Sequence, residues 1–116
     1  MTSGPSSNPP PYSAAYTAEF AGQLESREFR SIAAVIREKC ALILGDPYGA
    51  CRSERLRHEL SGKRSAQVDR GVRLIYTICE EYRRLGDEER NQLDCCLAEP
   101  SDLTRVTFLT ITRHYR

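Results

Sequence analysis

No apolar run in this sequence approaches the length of a membrane span, and no basic-then-apolar segment opens it. There is no Cys-x-x-Cys pair. The five cysteines are Cys40, Cys51, Cys79, Cys95 and Cys96, an odd number, and the two histidines, His58 and His114, share no ligand-like spacing with them. Each absence removes a class. The first two argue against a spanning or exported chain, and the cysteine pattern argues against both a zinc site and a disulfide framework. The expectation is a protein of the reducing cytoplasm with no metal, no cofactor and no membrane partner. Charge excess is missing too: the net charge of +1 makes no whole-chain case for a polyanionic partner. No internal repeat is visible.

What the chain does have is 116 residues with 40% hydrophobic and 28% charged content, enough for one soluble domain with one modest core. Residues 1–12 are rich in Ser, Pro, Gly and Asn and read as a disordered leader, followed by a domain over 13–116. Tyr16, Phe20 and Leu24 fall at i, i+4 and i+8, which predicts a short helix with Thr17 as its cap. Alternation of Tyr16, Ala18 and Phe20 leaves a short edge strand as the alternative. Ser26 to Leu44 is the clearest helix: Phe29, Ile32, Ala33, Ile36, Cys40 and Ile43 make one apolar face, Ser26 suits the N-cap, Gly45 the left-handed C′ position, and Pro47 blocks continuation. Asp46 to Arg52 is a loop, and Glu54 to Leu60 a turn of helix. Arg64 to Asp69 and Val72 to Glu80 form an antiparallel hairpin turning at Asp69-Arg70-Gly71, with Val72, Leu74, Tyr76 and Ile78 on one face. Residues 83–103 read as a polar, helical insertion, capped by Asp87 and ended by Pro100. Leu103 to Thr112 is a last strand, with Val106, Phe108 and Thr110 on one face and Thr107, Leu109 and Ile111 on the other.

Charge is unevenly spread. Arg52 to Arg73 holds seven bases against three acids, a local +4, while Gly86 to Asp102 holds six acids against one base, a local −5. The basic stretch supplies candidate phosphate ligands in Arg52, Arg55, Arg57, Lys63, Arg64 and Arg70, with Arg113 near the last strand. RNA can be cut when a base takes the proton of a 2′-hydroxyl, an acid protonates the departing 5′-oxygen, and a cation steadies the phosphoryl charge. Glu54 is a carboxylate within the basic span, Arg73 a mid-strand guanidinium, His114 a proton donor near neutrality, and Tyr115 a ring that can stack on a base or bond to phosphate. Each also has an ordinary reading. Glu54 can pair with Arg57 or His58 at helical spacing, Arg73 can face solvent, and His114 and Tyr115 can fray. Periodicity alone does not bring the four together.

The combination does resemble a family. Ser53-Glu54-Arg55-Leu56-Arg57-His58-Glu59-Leu60-Ser61-Gly62, then Val72-Arg73-Leu74-Ile75-Tyr76, then Arg113-His114-Tyr115 is similar to the RelE superfamily of bacterial toxins, and within it to the YoeB-type mRNA interferases. Asp46-Pro47-Tyr48-Gly49 is similar to that family's Thr-Pro-Phe segment. The resemblance covers roughly Ser26 to Arg116 and implies an α+β fold, a small antiparallel sheet with two N-terminal helices on one face, to which this chain's own pattern adds a helix before the last strand. It implies a metal-independent mRNA endoribonuclease in which Glu54 is the general base, His114 the general acid, Arg73 the phosphorane stabiliser and Tyr115 a positioning residue. The implied partners are a cognate antitoxin, mRNA and the ribosomal A site. Three departures stand beside it. Ser65-Ala66-Gln67-Val68 replaces the family's Ser-Arg-Arg-Ile, with Lys63 and Arg64 as the compensating cations. The segment before the last strand is longer. A clear first strand is missing. Two rival readings share the fold: a ParE-like gyrase inhibitor, and a degenerate module that binds without cutting.

Overall fold

The computed structural model describes residues 11–69, 71–84 and 104–113. Leader residues 1–10, Arg70, most of the 83–103 insertion with its helix, His114 and Tyr115 lie outside the described residues. Among the described residues there are five strands: β1 (Ser13–Tyr16), β2 (Glu54–Arg55), β3 (Arg64–Asp69), β4 (Val72–Ile78) and β5 (Arg105–Arg113), of which β4 and β5 are rich in β-branched and aromatic residues. They form one sheet in the order β1-β5-β4-β3-β2. The β2–β3, β3–β4 and β4–β5 pairs are antiparallel and β1–β5 is parallel, so the class is α+β with a mixed sheet. The hairpin stands where the sequence places it, with Asp69 opposite Val72 and Gly71 at φ 79° in the turn.

Helices α1 (Ala18–Leu24) and α2 (Ala33–Gly45) supply Phe20, Ile36, Cys40 and Ile43 to a core shared with Ala66, Val72, Leu74, Tyr76, Ile78, Val106, Phe108 and Ile111. Burying these apolar side chains on one side of the sheet is the main stabilising term.

Several local expectations give way to long-range pairing. Tyr16 does not start a helix. It closes β1, opposite Phe108, and the helix begins at Ala18 after Thr17. The strand reading was the alternative, and it wins because β5 offers Ser13 to Tyr16 a ladder that no local pattern reveals. The missing first strand is thereby present. Thr17 is the cap: its hydroxyl accepts from Phe20 N at 3.1 Å and donates to the Leu109 carbonyl at 2.7 Å. The helix expected from Ser26 starts only at Ala33, after a 3-10 turn at Arg30–Ile32, because Ser26 closes a separate turn through Phe29 N (3.3 Å) and Arg30 N (2.9 Å). Its apolar face is as expected, with Phe29, Ala33, Ile36, Cys40 and Ile43 buried. Gly45 remains helical, and Asp46 (φ −158°, ψ 77°) leaves the helical region and ends α2, donating its N–H to the carbonyls of Leu42 and Ile43. Glu54–Arg55 is a two-residue strand rather than a helical turn, and the 3-10 turn follows at His58–Leu60. β4 stops at Ile78, where α3 (Cys79–Arg83) begins and buries Tyr82.

The last correction concerns β5. Tyr76 pairs with Phe108 and Ile75 with Thr110, so Leu109 is an extra residue, a β-bulge. It resets the alternation. Ile111 joins Val106 and Phe108 in the core, while Leu109 and Thr110 both line the opposite side of the sheet. Where β1 has ended, the Gln23 side chain takes over its role: Nε2 donates to the Ile111 carbonyl at 2.9 Å and Oε1 accepts from Ile111 N at 2.8 Å.

Candidate functional site

The side of the sheet away from the core carries a cleft of about 620 Å³. Its position follows from register. Glu54 is opposite Ser65, Ser65 opposite Ile75, and Ile75 opposite Thr110, a row of side chains crossing β2, β3, β4 and β5 on one face. Gln67, Arg73 and Thr112 form the next row. Leu56, Leu60, Ile75 and Leu109 give the cleft an apolar floor, Glu54, Lys63 and Arg73 stand at one end, and Glu19 at the other.

Glu54 Oε2 lies 3.8 Å from Arg73 Nη1, and the same nitrogen donates to Ser65 Oγ at 3.1 Å. The Glu54 side chain is 62% exposed and Arg73 24%, so the carboxylate is open to a ligand while the guanidinium is braced from below. A second recess, along the β2 edge, is lined by Arg55, Arg57, His58, Ser61 and Arg64, and it shares Glu54 and Leu56 with the first. Glu54 therefore stands where an apolar cleft meets a cationic recess. The backbone around it is bent to this end: Cys51 (φ 57°), Arg52 (φ 58°) and His58 (φ 59°) are left-handed non-glycine residues on either side of β2.

Behind Glu54 a buried polar network fixes Ser53. Its Oγ accepts from Arg64 Nε at 2.8 Å and lies 2.6 Å from the Tyr76 hydroxyl, which donates to the Pro47 carbonyl at 2.6 Å. Arg64 Nη1 meets Glu81 Oε2 at 2.9 Å, Nη2 donates to the Tyr48 carbonyl at 3.2 Å, and the guanidinium sits 5.3 Å from the Tyr48 ring centre. Burial pushes the Tyr76 hydroxyl pKa up, so it stays a neutral donor. Tyr12 and Tyr48 both donate to Glu80 Oε2, tying the start of the described chain to α3.

The structure thus sorts the sequence candidates. Glu54, Arg73 and Lys63 share the cleft, and Arg55 and Arg57 line the adjoining recess. Arg52 is exposed on the loop before β2. Arg64 borders the same recess, but it is 7% exposed and bonded into the network behind Ser53. Arg113 lies on the helix side, bonded to Glu28 at 2.8 Å and over the Phe29 ring, away from Glu54. Arg70, His114 and Tyr115 are outside the described residues. Sequence reasoning missed Ser65, the Leu56–Leu60–Ile75–Leu109 floor and Glu19. Only cross-strand register unites them, and nothing local signals it. Among the described residues no helix is long and apolar enough to cross a membrane.

No protein-family model matches the chain, and no curated protein matches its sequence. Solved structures do match. A YoeB/ParE toxin from Agrobacterium tumefaciens superposes with a TM-score of 0.58 at 15% identity, over 89% of this chain and 99% of that one. The RelBE2 toxin–antitoxin complex from Mycobacterium tuberculosis gives 0.59 at 22% identity, over 90% and 93%. YafQ from E. coli gives 0.54 at 14% identity, over 88% and 92%. At these identities the likeness is one of fold.

Proposed function

We propose that this chain, which has the fold of the RelE/ParE toxins, is the toxin of a type II toxin–antitoxin pair and cleaves mRNA on the ribosome. The observation that carries this reading is the Glu54 carboxylate 3.8 Å from the Arg73 guanidinium, at the meeting of an apolar cleft and a cationic recess. Bases can lie on the aliphatic floor while phosphates follow Arg55 and Arg57. Glu54 takes the proton of a 2′-hydroxyl, the 2′-oxygen attacks the adjacent phosphorus, and Arg73 holds the phosphoryl oxygens as charge builds. The phosphorus–5′-oxygen bond breaks, His114 protonates the leaving oxygen, and Tyr115 positions the nucleotide. The products are a 2′,3′-cyclic phosphate and a free 5′-hydroxyl. Side chains fill every role, so the scheme is metal-independent. Its setting is the cytoplasm, and its protein partner is a cognate antitoxin.

The test is primer extension on mRNA in a purified translation system, comparing the wild type with Glu54→Ala and Arg73→Ala. Cleavage at defined codon positions should fall by about 100-fold or more in each variant, the scale of losing a general base or a charge stabiliser, and should vanish without ribosomes. Unchanged cleavage in both variants removes Glu54 and Arg73 from the chemistry. No cleavage by a folded wild type leaves the gyrase-inhibitor and binding-module readings.

A further inference from the structure

The far end of the cleft carries a carboxylate where a phosphate path would want a cation. Glu19, in the first turn of α1, lines the cleft beside Thr110, whose hydroxyl donates to Glu19 Oε2 at 2.6 Å. The Leu109 bulge is what brings Thr110 there, since it turns two consecutive β5 residues to the cleft side. Thr110 is three strands from Glu54 along one row of partners, which at the usual strand spacing is roughly 14 Å. Among the described residues Glu19 has no cationic partner. A carboxylate so placed repels phosphate and accepts hydrogen bonds from base N–H groups. Between it and Glu54 the floor is largely aliphatic, with Ile75 and Leu109 at its centre and Ser65 beside Glu54, a surface better suited to a base than to a backbone.

We propose that Glu19 is a specificity-determining residue: it accepts a hydrogen bond from the exocyclic amine of a base flanking the scissile phosphate, and so disfavours uracil there. The proposal rests on the endoribonuclease reading and adds the base class to it. Uracil lacks the amine, and its one ring donor on that edge, N3–H, is flanked by two carbonyl oxygens that the carboxylate repels, so it pairs less well there. Thr110 holds one carboxylate oxygen and leaves the other to the base.

The experiment uses mRNAs carrying all four bases at each position of the A-site codon, in the purified translation system, with the wild type, Glu19→Gln and Thr110→Val. The wild type should show, at one position, a preference of about tenfold or more for amine-bearing bases over uracil, the scale of one good side-chain-to-base contact. Glu19→Gln, whose amide both donates and accepts, should bring that ratio close to unity while other positions keep theirs. Thr110→Val, which keeps the shape and frees the carboxylate, should reduce the bias in the same direction. Melting curves establish that each variant is folded. A merely structural strap between α1 and β5 would change overall rate or stability and leave the base profile alone. An unchanged profile in folded Glu19→Gln, or a wild type that cuts without bias, overturns the proposal and leaves the nuclease reading intact. A wild type that does not cut overturns both.

Discussion

Arg64 and Arg73 lie on adjoining strands, yet their guanidinium groups serve opposite sides of the sheet. Arg73 braces the cleft beside Glu54, and Arg64 is buried against Glu81, Ser53 and Tyr48. Glu81 Oε1 is buried with no hydrogen-bond partner among the described residues, so this carboxylate depends on Oε2 and its arginines, Arg64 at 2.9 Å and Arg55 at 3.7 Å. Removing one partner of such a pair strands the other charge. Arg64→Met should cost roughly 3 kcal/mol, and adding Glu81→Leu to the same chain should recover much of that loss. Urea unfolding of the three proteins checks it, and a double variant no more stable than the single one would contradict it. In sequence the two arginines look alike, each in a strand pattern. What separates them is Tyr48 before and Glu81 after, brought together only by the folded chain. The Glu54–Arg73 pair was legible through a family resemblance and not through spacing, because it joins β2 to β4 across β3.

Among the elements, β5 does most to hold the others in place, and Phe108 is its central contact. The ring is fully buried, with centroid distances of 5.5 Å to Tyr16, 5.6 Å to Phe20 and 5.8 Å to Tyr76. It thus links β1, α1 and β4 at one point. Phe108→Ala should destabilise by about 3–5 kcal/mol through lost burial and the cavity left behind, and Phe108→Leu by clearly less. Thermal melts of both variants test this, and a loss below about 1 kcal/mol for Phe108→Ala would mean that the rings repack. The apolar faces of α2 and β4 were readable because each lies within one unbroken period. β1 was readable only as the alternative to a helix, since four residues carry little pattern and their partner lies far along the chain. The second half of β5 was not readable, because one bulged residue moves every later side chain to the other face.

At the scale of the whole molecule, core and cleft occupy opposite sides of one sheet, and the α+β class, expected from the family resemblance, agrees with the helix and strand periods of the sequence. Tyrosine hydroxyls link the core side together. The hydrogen bond to Glu80, and then burial, push Tyr12 from its ordinary value of 10.0 up to about 12, and burial followed by the bond to Glu80 raises Tyr48 as well. A raised tyrosine pKa means that the folded state favours the neutral hydroxyl. The stabilisation is fully present below pH 10 and is lost as pH rises through about 12. Urea midpoints should therefore fall between pH 9 and pH 11, and fall less in Tyr12→Phe, where one of these hydroxyls is gone. Identical slopes in the two proteins would show that Tyr12 does not take part. The sheet order has one more consequence, which concerns time rather than energy. β5 is the last of the described elements to be synthesised, yet it lies between β1 and β4 and supplies Leu109 and Thr110 to the cleft. In a nascent chain that has emerged only through α3, β1 has no strand to join and the cleft lacks one wall. Until Arg105 to Arg113 have been translated, the cleft is incomplete, so whatever this surface binds can be held only by a finished chain.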